Sequence, residues 1–326
     1  MVSSDYKSVP VLIIGYSRVN SIRDIFNNLV KFGVTDIFLA LDFAHDPVLL
    51  NEQRDLVHEL KEKAINSETN LRVWHRNRNH GVALGVLSGL DWFFSENETG
   101  IVIEDDLFFD VNFLKFCASS LDYYRDNGDV LMVSGNRYDG RSLETKVAIT
   151  NYPQIWGWAT WRSKWQEIRD LIVRKTRINY SQITRSEVGY FYAGAVRARI
   201  GLVDTWDTPL AYEMLVRGKF CLLPPVNLVS NVGSDNHAVH TQESSFPMNH
   251  PIEKVLDITF PSMESLIAES KLHNIYLEKN VFQVRMKHIL SPIKLRFGIL
   301  YGKIQGKKTT SLKSRLSRVE KFDTQF

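Results

Sequence analysis

Residues Gly100–Asp106 read GIVIEDD, a short apolar run that ends in three consecutive acids, Glu104, Asp105 and Asp106. A brief stretch of apolar, β-branched residues closed by polar ones fits a strand buried on both faces, as inside a parallel sheet. The segments before it have the same grammar. VPVLIIGY at Val9–Tyr16, DIFLALD at Asp36–Asp42 and LRVWHR at Leu71–Arg76 read as three more such strands. Between them, Ser21–Phe32 carries Ile22, Ile25, Phe26, Leu29 and Val30 at helical spacing and stops at Gly33. Pro47–Ile65 reads as a charged amphipathic helix and Gly81–Phe94 as another helix. Strand and helix alternate, the pattern of an α/β fold with an open, mostly parallel sheet flanked by helices.

In such sheets ligands bind beyond the carboxyl ends of the strands. The residues just past each strand are therefore the informative ones: Arg18, Asp42 and Glu104–Asp106. Three neighbouring carboxylates repel one another unless a cation is present. Hard oxygen ligands suit Mg²⁺ or Mn²⁺, ions that share their shell with substrate phosphates and neutralise a departing diphosphate. A solvated acidic turn is the plain alternative; the position after a buried strand favours a site. Asp42 has the chemistry to accept from a nucleobase or ribose, and Arg18 to meet a base carbonyl or a phosphate. Each alone would pass for a loop residue, and their shared edge with the acids is what distinguishes them.

The middle of the chain changes character. VLMVSGNRYDG at Val130–Gly140 reads as a strand running into a loop, and IWGWATWRSKW at Ile155–Trp165 holds four of the seven tryptophans. Trp156 or Trp158 could stack on a sugar ring. The spacing of Trp158, Trp161 and Trp165 equally suits the packed face of a helix. A helical period becomes clear from Glu167 to Val173. In VDTWDTPLAYEM, Asp207 is a candidate base for an acceptor hydroxyl. Asp204 and Glu213 compete for that role, and an N-cap ahead of a helix beginning near Pro209 is the bland reading of Asp207. Cys221–Gly233 reads as one late strand, with Pro224 and Pro225 marking an edge or bulge. His237 and His240 follow in a polar loop, where either could touch a metal or diphosphate.

Composition narrows the class. The 326 residues are 44% hydrophobic and 24% charged, as in globular proteins. Two distant cysteines, Cys117 and Cys221, offer neither a disulfide framework nor a zinc site, which fits a reducing cytoplasm. The N-terminal residues lack the pattern of a signal peptide, and no run is long and apolar enough to span a bilayer. The net charge of +3 conceals an asymmetry: residues 283–326 hold eleven Lys and Arg against Glu320 and Asp323, net +9, so the rest is net −6. A basic tail on an acidic body implies an anionic partner for the tail. LSPIKLRFGILYGKI at Leu290–Ile304 mixes apolar and basic residues as an interfacial helix does.

From about Val9 to Thr241 the chain resembles the inverting GT-A glycosyltransferases related to N-acetylglucosaminyltransferase I, above all bacterial members of surface-polysaccharide synthesis. The resemblance rests on VPVLIIGYSR, ALDFAHD, VIEDDLFFDVNFLKF, VSGNRYDG, IWGWATWRSKW and TWDTPLAYEM taken in order. It implies a nucleotide-diphospho-sugar transferase fold at 1–255, with Arg18 and Asp42 holding the nucleotide, most plausibly UDP. It further implies Asp106 as the metal ligand for Mn²⁺ or Mg²⁺, Glu104 and Asp105 on donor sugar or ribose, and Asp207 as general base. The family has a second acid after that tryptophan–aspartate pair, where this chain has Thr208. The helical, basic extension at 256–326 lies outside the resemblance.

The activity expected is thus inverting transfer of a sugar from a nucleotide donor to a glycan or lipid-linked glycan. The enzyme would be cytoplasmic or peripheral on an anionic membrane through its basic tail. A sugar-nucleotide nucleotidyltransferase would need a glycine-rich loop with lysine after the first strand, and GYSRVNS has none. A catalytically silent glycan-binding module would need neither an intact acidic triplet nor Asp207. Nucleic-acid binding would rest on the tail alone and is not expected.

Overall fold

The computed structural model describes residues 5–174, 186–231, 250–255, 257–304 and 310–323. The first half builds β1 (Val11–Gly15), α1 (Val19–Lys31), β2 (Asp36–Leu41), α2 (Pro47–Asn66), β3 (Asn70–His75), α3 (Gly81–Glu96), β4 (Thr99–Glu104), β5 (Leu107–Phe109), α4 (Val111–Tyr123) and β6 (Val130–Ser134). The second half adds β7 (Ala148–Thr150), β8 (Trp158–Trp161), α5 (Arg162–Val173), α6 (Ser186–Arg199), α7 (Asp207–Arg217), β9 (Phe220–Leu223), β10 (Val229–Asn231), α8 (Met263–Tyr276), α9 (Ser291–Ile304) and α10 (Leu312–Asp323).

Eight strands form one sheet in the order β3-β2-β1-β4-β8-β6-β9-β7, and β5 pairs with β10 in a small second ribbon. β1 lies parallel to β2 and β4, β2 to β3, and β6 to β9. β8 enters antiparallel between β4 and β6, and β7 is an antiparallel edge. The expected α/β class with a mostly parallel sheet and flanking helices is what forms. The apolar content of the strands explains it, since Val11–Ile13, Ile37–Leu41 and Ile101–Ile103 are buried on both faces.

One face of the sheet packs on α1, α2 and α4 through Ile22, Phe26, Leu56, Phe113 and Phe116. The other packs on α3, α5 and α7, with Phe93, Ile168 and Leu210 among its members. Each fully buried side chain of this kind contributes roughly 1.5–3 kcal/mol of transfer free energy. α3 is apolar nearly all round because it lies between the sheet and both α5 and α10.

Several local expectations are corrected. Trp158 and Trp161 lie on β8, not on a helix, so strand alternation sends them to opposite faces; Trp165 alone of the three is helical, in α5. That helix begins at Arg162 rather than Glu167. The strand running into a loop over Val130–Gly140 forms as expected: β6 ends at Ser134, where Gly135 N–H donates to Gly157 O at 2.6 Å. In place of one late strand there are two, β9 ending at Leu223 and β10 at Val229–Asn231, because the prolines between them offer no N–H to a ladder; the expected strand's last two residues, 232 and 233, lie outside the described residues. α7 begins at Asp207, two residues before Pro209, with Trp206 as its N-cap.

The C-terminal helices pack on the rest of the chain. Thr150 Oγ1 donates to Asn274 Oδ1 at 2.7 Å, joining α8 to β7. Leu312 and Leu316 of α10 reach the core beneath α3. Among the described residues no helix is long and apolar enough to cross a membrane.

Candidate active site

Strand register assembles the site. Ile14 stands opposite Glu104, so the loop after β1 runs beside Asp105 and Asp106; Gly15 stands opposite Leu41, which sets Asp42 on the other side of that loop. Tyr16 N–H donates to Asp105 Oδ2 at 2.8 Å and Arg18 Nη1 donates to Asp105 Oδ1 at 3.1 Å. The same Arg18 nitrogen is 4.0 Å from Asp106 Oδ2. The β1–α1 loop is held from its other side by Gln53, fully buried on α2, whose amide donates to Tyr16 O at 2.7 Å and to Asp42 O at 2.9 Å.

The acids differ in what they do. Asp105 faces the loop and anchors it. Burial pushes Glu104 well above the ordinary glutamate range, and Asp106, Asp105 and Asp207 push it further, while Arg18 opposes them. Asp106 is raised first by burial and then by Asp105; Arg18 and a hydrogen bond from Asn231 oppose the shift. Asp207 thus belongs to the same electrostatic cluster although it lies 101 positions beyond Asp106 in the chain (207 − 106). The buried Tyr138 hydroxyl is raised by burial and feels both Asp207 and Glu104, which places it alongside them.

Asp207 accepts on one oxygen only among the described residues. Its Oδ1 takes Thr208 N–H at 2.7 Å, Thr208 Oγ1 at 3.3 Å and a short bond from Thr205 Oγ1. Trp206 fixes the turn beneath it, stacked on buried Trp158 with ring centroids 5.7 Å apart. Its two rivals are engaged elsewhere. Asp204 accepts from Val82 N–H at 2.8 Å and Ala83 N–H at 3.4 Å, capping the N-terminus of α3. Glu213 is buried between Arg199 and Arg217, each at 3.1 Å.

Asp42 sits apart from the acid cluster. It is 6% exposed and accepts from His80 N–H at 2.9 Å and Gly81 N–H at 3.1 Å, so it too serves the start of α3. Burial raises its pKa despite those bonds and the nearby Arg76. Gly81 is required where the two carboxylates converge: its φ is +73°, and a Cβ there would lie 2.6 Å from Asp204 Oδ2.

Whether these residues fit a divalent cation is a question of charge and number. Glu104 and Asp106 are both raised, and Arg18 opposes both shifts, so the pair is short of positive charge, which a cation would supply. Among the described residues no three His, Cys, Asp or Glu side chains stand close enough to ring a metal ion. Mg²⁺ and Mn²⁺ commonly take one or two carboxylates and complete their shell with phosphate and water. The set fits that mode with Asp106 and Glu104. His237 and His240 lie outside the described residues; Asn231, the last residue described before them, hydrogen-bonds Asp106.

A cavity of about 930 Å³ opens beside Asp207, between α6 and α9, with Thr208, Arg197, Lys294 and Tyr301 in its lining. Trp156, offered by the sequence as a stacking platform, is half-buried with its ring edge-on to Tyr138 at 5.4 Å. Sequence reasoning passed over Asn231, Tyr138 and Gln53. Nothing in their local pattern marks them, since only the fold brings them to the acids.

The sequence matches no family model and none of the curated proteins. Among solved structures, the chain is similar to GalNAc-T7 with UDP, GalNAc and Mn²⁺, at 10% identity over 70% of this chain, with a TM-score of 0.42. It spans only 44% of that protein's chain. It is also similar to apo UDP-glucose pyrophosphorylase, at 9% identity over 69% of this chain and 93% of that one, TM-score 0.38. HddC from Yersinia pseudotuberculosis complexed with GMP-PN follows at 15% identity, 44% and 60% coverage, and TM-score 0.27. Likeness this distant carries neither substrate nor mechanism to this chain.

Proposed function

We propose that this protein is a GT-A-type glycosyltransferase that moves a sugar from a nucleotide donor, most plausibly a UDP-sugar, onto an acceptor hydroxyl with inversion. The observation that supports it best is the single electrostatic cluster of Glu104, Asp105, Asp106, Asp207 and Arg18 at the carboxyl ends of β1 and β4. A strand-end acid cluster is where a diphosphate and its cation belong, and Asp207 adds a separate carboxylate within reach of the same space.

In this reading Arg18, fixed by Asp105, meets the diphosphate. Asp106, with Glu104, holds Mn²⁺ or Mg²⁺, and the ion when bound neutralises charge on the leaving group. Asp207 takes the proton from the acceptor hydroxyl as its oxygen attacks the anomeric carbon and the bond to the diphosphate breaks. Thr205 and Thr208 hold one oxygen of Asp207 and leave the other to face the acceptor. Asp42, committed to α3, would act on the nucleotide by shaping the wall of its site.

The test is donor consumption with Mn²⁺ and a mixed pool of glycan acceptors, in wild type and Asp207→Asn. Transfer lost with metal-dependent UDP binding retained is expected. Full transfer by the variant would remove Asp207 from the role of base.

A further inference from the structure

The buried face of α9 is made by Pro292 and Leu295, with Ile299 half-buried behind them, and it rests against α6. The opposite face is apolar too. Ile293, Phe297, Leu300 and Tyr301 are exposed, Phe297 by 70%, and their spacing of three and four residues makes one stripe. Met286 and Leu290, on the turn just before, continue it and are exposed as well. A helix apolar on two faces, one of them bare, leaves a partner unaccounted for.

Charge says what the partner is. Lys294 and Arg296 flank the stripe on either side around the helix, and Arg285 and Lys287 stand exposed at its start. From Lys279 to Val319 there is no Asp or Glu. An apolar stripe bordered by cations and free of acids matches the headgroup boundary of an anionic bilayer. An acidic protein surface, or the net −6 remainder of a second copy, carries matching charge as well, and the vesicle and self-association measurements below separate these from a bilayer. Lys294 and Tyr301 belong both to this surface and to the lining of the cavity that reaches Asp207. Lys294 and Tyr301 thus bring one edge of the cavity to the border of the stripe.

We infer that α9 lies on an anionic lipid bilayer with Phe297, Leu300 and Tyr301 in the headgroup boundary, so that the cavity beside Asp207 opens onto the membrane. Taking Asp207 as the base, which rests on the function proposed above, the acceptor is one carried by a membrane lipid.

The experiment is flotation of the full chain with vesicles of phosphatidylcholine alone or mixed with phosphatidylglycerol. Binding is expected only to the anionic vesicles and should weaken with salt. F297S/L300S should lower it roughly tenfold or more, and K287E roughly fivefold or more. Orientation is read with an environment-sensitive dye on F297C, Y301C and V48C, since Cys117 and Cys221 are buried. The first two should shift to the blue on anionic vesicles, and V48C, on α2, should not. Equal binding to both vesicle types, no binding to either, a shift at V48C, or self-association abolished by F297S/L300S without vesicle binding would each overturn the proposal. UDP binding with Mn²⁺, measured without lipid in wild type and in F297S/L300S, separates the two readings: equal binding by both is expected, and its absence in wild type would count against the transferase and leave the docking result standing.

Discussion

Replacing Asp105 and Asp106 one at a time should have different consequences, because only one of these neighbours anchors the β1–α1 loop. Asp105 accepts from Tyr16 N–H at 2.8 Å and from Arg18 at 3.1 Å. Hydrogen bonds to a charged group are worth about 1.5–3 kcal/mol each, and a buried N–H left unpaired adds to the loss. Against this, Asp105→Ala relieves the repulsion that raises Glu104 and Asp106. The net expectation is a loss of about 2–3 kcal/mol, or roughly 3 to 4 °C in melting temperature for a chain of 326 residues. Asp106→Ala loses the hydrogen bond from Asn231 but removes a carboxylate whose charged form burial and Asp105 disfavour, so its metal-free stability should stay within about 0.5 kcal/mol of wild type. The two differ again with Mn²⁺ and UDP. Wild type should melt higher with both ligands, through binding to the folded state, and Asp106→Ala should not. Thermal melts with Mn²⁺ and UDP, and with chelator, check all of this. Equal destabilisation by both substitutions, or a full ligand-induced rise in Asp106→Ala, would refute the division of labour.

Glu104 gives a pH signature: its folded pKa is raised, so the stability it contributes is present below the ordinary glutamate range and is lost as pH rises through the raised value. The stability of metal-free wild type relative to Glu104→Gln should fall over that window, by chemical denaturation; a flat difference would contradict it. Bound Mn²⁺ should reverse the trend, since it requires the ionised form. On either side of Tyr138 in the chain, Arg137 and Asp139 form a fully buried pair at 3.0 Å, with His273 of α8 at 3.1 Å from the same carboxylate. Asp139→Ala should cost about 3–5 kcal/mol, measured by denaturant melts, with donor affinity of the folded fraction unchanged. For the C-terminal boundary, a chain ended at residue 255 would lose His273, Leu277, Leu312 and Leu316 from buried positions. It should melt well below the full chain by calorimetry.

The first four parallel strands and the helices between them were legible because their burial on both faces writes a continuous apolar run, and parallel crossovers force strand–helix alternation. The acids at the end of β4 and Arg18 after β1 followed from that reading, since register alone brings them together. The tryptophan segment misled because a spacing of three and four residues suits a helix face, while β8 uses strand alternation to place Trp158 and Trp161 in different cores. Pairing between β8 and β4 is antiparallel and non-local, and no periodicity records it. Asp42 and Asp204 show the limit most clearly. Both look like ligand-binding loop acids in sequence, and both cap α3, a role visible only when Gly81 is seen between them. Asn231, at the end of β10 where it pairs with β5, and Tyr138, on the loop after β6, reach the acids by pairings and paths that depend on the whole fold.

The central claim, that the acids of β4 hold a nucleotide sugar through a divalent cation, is tested most directly by calorimetric titration of a UDP-sugar panel with Mn²⁺ and again with chelator. Saturable binding of a UDP-sugar that disappears with chelator and in Asp106→Ala is the expected result. Absence of binding by every nucleotide sugar to folded protein, or binding indifferent to the cation, would contradict it.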